Sequence, residues 1–143
     1  MKIRCKFNKL SQIKSFHSAE FLKRFSGLDG DESQWINLEQ EYTVYGIIFR
    51  DNHPFYYVFD DPDSDEYPVP VSAVFFEITD HRLSKYWRLF YKFNVEREKT
   101  ESGLFFEEWA NDIMFYEKLI DGNTLEVQKM SEYKILIKSE FEI

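Results

Sequence analysis

The chain contains one cysteine, Cys5, in 143 residues, so no intrachain disulfide can form. Five glycines leave neither a G-x-G-x-x-G nor a Walker-type phosphate loop. The three histidines, His17, His53 and His81, stand at no metal-ligand spacing such as H-x-x-x-H, and no second cysteine is available to complete a zinc site. Apolar runs such as Ile47-Ile48-Phe49 and Ile135-Leu136-Ile137 fall far short of the roughly 20 residues that span a bilayer. The N-terminal stretch begins basic but is interrupted by Lys9 and Lys14, so it lacks the apolar core of a signal peptide. These absences point to a protein of the reducing cytoplasm, with no cofactor and no metal.

Aromatic residues are abundant. They make up 19% of the chain, with 15 Phe and 9 Tyr, and buried rings supply much of the apolar area of a small fold. At this length the chain fits a single domain over 1–143, folded despite 31% charged residues. The net charge of −8 is unevenly spread. Residues 1–25 carry seven basic groups against Glu20, a net of +6, which leaves −14 for the rest. An acidic body is a poor partner for nucleic acid or anionic membrane, and suits a basic protein partner or simple solubility.

Hydrophobic periodicity divides the chain into a basic N-terminal strand and arm (1–33), a β-sheet core (34–95) and a helical segment (96–143). Ile3, Cys5 and Phe7 alternate with Lys2, Arg4 and Lys6, the pattern of a half-buried strand with Cys5 turned inward. Ser18 is placed to cap a helix through Phe25, with Gly27 just past its end. Leu28–Ser33 reads as a loop and a candidate linker.

Four core strands are predicted: Glu41–Arg50, Phe55–Asp60, Val69–Ile78 and Tyr86–Phe93. Gly46 in the first suggests a bend, a bulge or a close backbone approach. Asp51-Asn52-His53-Pro54 turns the chain into a hairpin. Pro68 and Pro70 place the third strand at an edge or crossover. In the fourth, Trp87, Leu89, Tyr91 and Phe93 alternate as a core set. Phe105, Trp109, Ile113, Tyr116 and Ile120 then follow a helical stripe that ends at Asp121-Gly122. Asn123 can cap a second helix, which is favoured over a late strand at Ile135-Leu136-Ile137. The fold class is α+β: an antiparallel sheet or small β-barrel of about five strands, followed by a C-terminal helical pair.

Candidate chemistry is sparse. Asp61, Asp63 and Asp65 imitate the first ligands of a calcium loop. Glu66 then stands where Gly is required, and Ser72 where Glu is required. His81 lies three residues before Ser84, but no G-x-S-x-G elbow surrounds that serine. Glu107, Glu108 and Glu117 resemble ordinary solvated carboxylates on a helix. Lys85-Tyr86-Trp87-Arg88-Leu89-Phe90-Tyr91-Lys92 interleaves basic and aromatic residues as a base-stacking surface would, but within an acidic body. No residue is assigned a catalytic role.

Folding alone does not account for the loop Asp60-Asp61-Pro62-Asp63-Ser64-Asp65-Glu66, with five carboxylates in seven residues. A solvated turn is the plain reading. The functional one is docking to a basic partner through Asp60, Asp61, Asp63, Asp65, Glu66 and Tyr67.

Three stretches carry a family resemblance. Trp35-Ile36-Asn37-Leu38-Glu39-Gln40-Glu41-Tyr42-Thr43-Val44-Tyr45-Gly46-Ile47 is the first. The others are Val74-Phe75-Phe76-Glu77-Ile78-Thr79-Asp80 with Ser84-Lys85-Tyr86-Trp87, and Phe115-Tyr116-Glu117-Lys118-Leu119-Ile120-Asp121. Together they resemble small bacterial immunity proteins of polymorphic or contact-dependent toxin systems. The resemblance implies a cytoplasmic, non-enzymatic protein that neutralises a toxin domain by binding it. Such families share no catalytic signature, so no site residue is carried over. The alternative is a small ligand-binding or enzymatic α+β domain with a pocket between sheet and helices.

Overall fold

In a computed structural model, which describes residues 1–13, 17–28, 33–63 and 66–142, the alternating first residues form β1 (Lys2–Cys5). Ile3 and Cys5 are fully buried. β1 is the middle strand of a three-stranded antiparallel sheet, between β2 (Glu41–Thr43) and β6 (Phe76–Asp80). Its basic outer face is therefore no free arm. Lys2 and Arg4 meet Glu41 at 3.7 and 3.9 Å, Arg4 meets Glu77 at 3.6 Å, and Lys6 meets Glu39 at 2.9 Å. Helix α1 (Ala19–Phe25) follows, with Ser18 Oγ accepting from the Phe21 N–H and Gly27 in the left-handed region at φ +73°. Of the predicted linker Leu28–Ser33, residues 29–32 lie outside the described residues.

The predicted strand Glu41–Arg50 divides in two. The Val44 N–H donates to Met1 O in the small sheet, whereas the Tyr45 N–H donates to Tyr57 O in the large one. The chain changes sheets at this corner, then runs on as β3 (Gly46–Arg50). Asp51 and Asn52, at φ +51° and +65°, make a two-residue turn into β4 (His53–Val58). Left-handed values at both central positions match the twist of a tight hairpin. β5 (Val69–Ser72) is an edge strand, as Pro68 and Pro70 require. The predicted strand Val69–Ile78 is also divided. A 3₁₀ turn, Ala73–Phe75, lifts the chain from β5 into β6 of the other sheet, with Ser72 Oγ accepting from the Val74 N–H.

β7 (Trp87–Asn94) and β8 (Lys99–Phe106) form a long hairpin that completes a five-stranded antiparallel sheet in the order β5-β4-β3-β8-β7. The helical reading of 96–143 is thus corrected, since its first part is a strand. Phe105 stacks on Trp109 at 4.3 Å across the junction of β8 with α2 (Glu107–Ala110). The i, i+4 spacing that suggested one helix reflects a real contact between two different elements. Helices α3 (Phe115–Ile120) and α4 (Thr124–Glu140) follow, and Gly122 at φ +77° separates them. Asn123 occupies the cap of α4 in extended geometry, without a side-chain hydrogen bond.

The neighbours Tyr56 and Tyr57 show the layering. Tyr56 packs edge-on against Phe76 of the small sheet at 6.0 Å. Tyr57 points the other way, into Phe105, Trp109 and Tyr116 at 4.9–5.6 Å. Gly46 and Gly103 make room for this second cluster. A Cβ on Gly46 would lie 2.6 Å from the Phe105 ring, and one on Gly103 would lie 2.3 Å from Ile47 O. Among the three readings of Gly46, the close approach is the one that fits. One contiguous set of buried side chains runs from Met1 to Phe141.

The predicted core set on β7 is wrong beyond Trp87. Leu89, Tyr91 and Phe93 are 76%, 64% and 50% exposed, while Phe90 is buried against Phe105. The alternation is real, but the cover is short. Tyr133 of α4 stacks on Phe106 at 4.1 Å, beside Trp87, and the same face beyond Leu89 is open.

Candidate functional site

The acidic loop joins β4 to β5 and is anchored at both ends. Phe59 is buried against Tyr45 at 5.0 Å, with Lys134 of α4 over its ring at 4.1 Å. At the other end the Tyr116 hydroxyl donates to Pro68 O at 2.7 Å. Burial raises the Tyr116 phenol far above its ordinary value, and raises Tyr57 beside it to about 12, so both stay protonated at neutral pH. Between these anchors Asp60, Asp61, Asp63 and Glu66 are exposed, and Asp61 Oδ1 accepts from the Asp63 N–H at 3.0 Å in a local turn. Asp65 lies outside the described residues. Tyr67 is partly exposed and meets Tyr116 edge-on at 6.4 Å.

Asp60, Glu66 and Tyr67 line one depression of about 270 Å³, together with Trp35 and Val69. Three of the predicted site residues thus share a surface with Trp35, to which the sequence alone assigns no site role. Trp35 arrives from the loop before β2, 32 residues from Tyr67, and no local pattern links them. The chemistry of this surface is that of a carboxylate rim with an aromatic wall. It suits Lys or Arg side chains, which can place a charge on the rim and a stem on the rings.

Other candidates resolve differently. Ser84 is buried, and its hydroxyl donates to Glu140 Oε1 at 2.5 Å while Glu140 Oε2 accepts from the Lys85 N–H at 3.0 Å. That pair ties α4 to the start of β7 and leaves His81 exposed and apart from it. A different serine–histidine contact exists, with His53 Nε2 at 2.8 Å from Ser72 Oγ. Ser72 is buried, and His53 is sandwiched among Phe25, Phe21 and Phe55 at 4.6–5.5 Å. Desolvation and nearby His17 lower the His53 pKa, which favours the neutral ring beside the Ser72 hydroxyl. This contact is a packing device, since the hydroxyl has no open path to a substrate.

Cys5 is buried and its thiol is pushed up to about 11 by desolvation, which makes it a poor nucleophile at neutral pH. Glu108 Oε1 accepts from the Tyr133 hydroxyl at 3.2 Å, while Glu107 and Glu117 are exposed. Among the described residues no three His, Cys, Asp or Glu side chains converge on a common point. No helix among them is long and apolar enough to cross a membrane. Among the described residues, rings pack between the large sheet and α2–α3, with a notch of about 90 Å³ beside Tyr57, Trp109 and Asp112. No protein-family model matches the chain, and neither a curated protein nor a solved structure is similar to it.

Proposed function

We propose that this is a non-enzymatic binding protein that acts by occupying a basic surface on a partner protein. Following the resemblance of its sequence, the partner is a toxin domain and the protein a cytoplasmic immunity protein that blocks it. The observation that supports this best is the acidic loop itself. Its exposed carboxylates stand on a base fixed by Phe59, Pro68 and Tyr116, beside the aromatic wall of Trp35 and Tyr67. A rigid base lowers the ordering cost of binding, and concentrated charge speeds the encounter.

The test is the association rate with the partner that co-purifies from the native host. Asp60→Lys, Asp61→Lys and Asp63→Lys together should slow association by about tenfold or more at low salt, with the difference shrinking as salt rises. An unchanged rate and salt dependence would remove the loop from the account. Among the described residues, the alternative of a ligand or substrate between sheet and helices has a notch of about 90 Å³ to draw on. That is below the 300 Å³ or so of ordinary small-molecule sites.

A further inference from the structure

We infer that the outer edge of β7 is a second docking surface, one that takes an extended strand of alternating apolar and acidic residues from another protein. The inference stands apart from the acidic loop, which lies at the opposite edge of the same sheet. β7 is the last strand of the sheet, and its outer row of backbone N–H and C=O groups faces no other strand among the described residues. It is eight residues long and pairs with β8 at every position from Trp87↔Phe106 to Asn94↔Lys99, with no bulge. A long, regular edge without a bulge is a template for a further strand.

The two faces of β7 specify what that strand must carry. On one face Leu89, Tyr91 and Phe93 are largely exposed, and the half-buried Leu104 and Phe49 continue the ledge across β8 and β3. On the other face stand Arg88 and Lys92. From Ser84 to Val95 the chain has three basic residues and no acidic one, in a protein of net charge −8. Neither Arg88 nor Lys92 forms an ion pair among the described residues, and Arg88 donates only to the carbonyls of Lys85 and Trp87 at 3.0 Å. The contrast is with Lys2 and Arg4 of β1 and Lys6 just after it, which all meet glutamates of adjoining segments. Cations on an edge strand also deter association of identical edges. Antiparallel pairing of β7 with its copy about Phe90 would set Arg88 against Lys92. Charges that disfavour a second copy in that register select an acidic strand, whose alternate apolar residues would cover the open ledge.

A random library of eight-residue segments, the length of β7, displayed and selected on the full-length protein tests this. The expected consensus alternates apolar residues with Asp or Glu. Selected peptides should shift the amide resonances of Trp87–Asn94. They should bind about tenfold or more weakly to the folded Arg88→Glu, Lys92→Glu variant. Their affinity for the Asp60→Lys, Asp61→Lys, Asp63→Lys variant should be unchanged, which separates this surface from the loop. Lack of enrichment, or a consensus without acidic residues, would overturn the proposal. So would affinity that survives N-methylation of alternate peptide amides, or self-association of the protein through β7.

Discussion

His53 shows what a single residue can report. Its ring is hydrogen-bonded to the buried Ser72 hydroxyl among three phenyl rings, and its pKa is lowered by desolvation and His17. The folded state therefore binds a proton less readily than the unfolded chain. The stability that depends on the neutral ring is present above pH about 6.5 and is lost as pH falls below that toward the lowered folded value. Urea midpoints between pH 7.5 and 5.5 should fall more for the wild type than for His53→Gln. Asp80 is held low by Arg82 and contributes only in a more acidic range. Gly103 offers a sharper test. A methyl group there meets the Ile47 carbonyl and the Phe105 ring, so Gly103→Ala should cost about 1–3 kcal/mol in denaturant titrations. The inward turn of Cys5 was legible from alternation alone. The His53–Ser72 contact was not, because it depends on the register of β4 against β5, across 19 residues.

At the level of elements, local signals were read correctly where the chemistry is local. Ser18 caps α1, Asp51-Asn52 turns the hairpin, the prolines mark the edge strand, and Gly122 ends α3. The misreadings share one cause. Periodicity reports which residues are apolar on one side, but not what lies over them. Val44-Tyr45 and Ala73–Phe75 continue an apolar pattern while the backbone passes from one sheet to the other. β8 reads as helix in the sequence because Thr100, Ser102 and Gly103 give a weak strand signal, while Phe105 and Trp109 contact each other across its end. On β7 the two faces provide a direct measurement. Phe90→Ala should cost about 3–5 kcal/mol, as for a buried ring. Leu89→Thr, on the exposed face, should stay within about 0.5 kcal/mol. Equal losses at the two positions would show that the ledge is covered in solution.

For the whole molecule, composition carried most of what was readable. The ring content foretold a core of interlocking aromatics, and the charge foretold an acidic exterior. It did not foretell how charge is arranged on the large sheet. The loop between β4 and β5 lies at one edge with its carboxylates, and β7 lies at the other with Arg88 and Lys92, which form no ion pair among the described residues. The binding surfaces were only partly legible for the same reason: the acidic loop is contiguous in sequence, while Trp35 and the β7 ledge depend on tertiary placement.

Five strands at about 4.8 Å spacing set those two edges roughly 19 Å apart. The carboxylates of the loop and the cations of β7 therefore separate charge across the width of the sheet. At 0.15 M salt the screening length of about 8 Å is shorter than that separation, so each edge acts on its neighbours alone. Near 0.01 M it grows to about 30 Å, and a charged body approaching from a distance exerts a torque on the whole molecule before touching it. In dilute buffer, orientation then precedes contact; in concentrated buffer, contact precedes orientation.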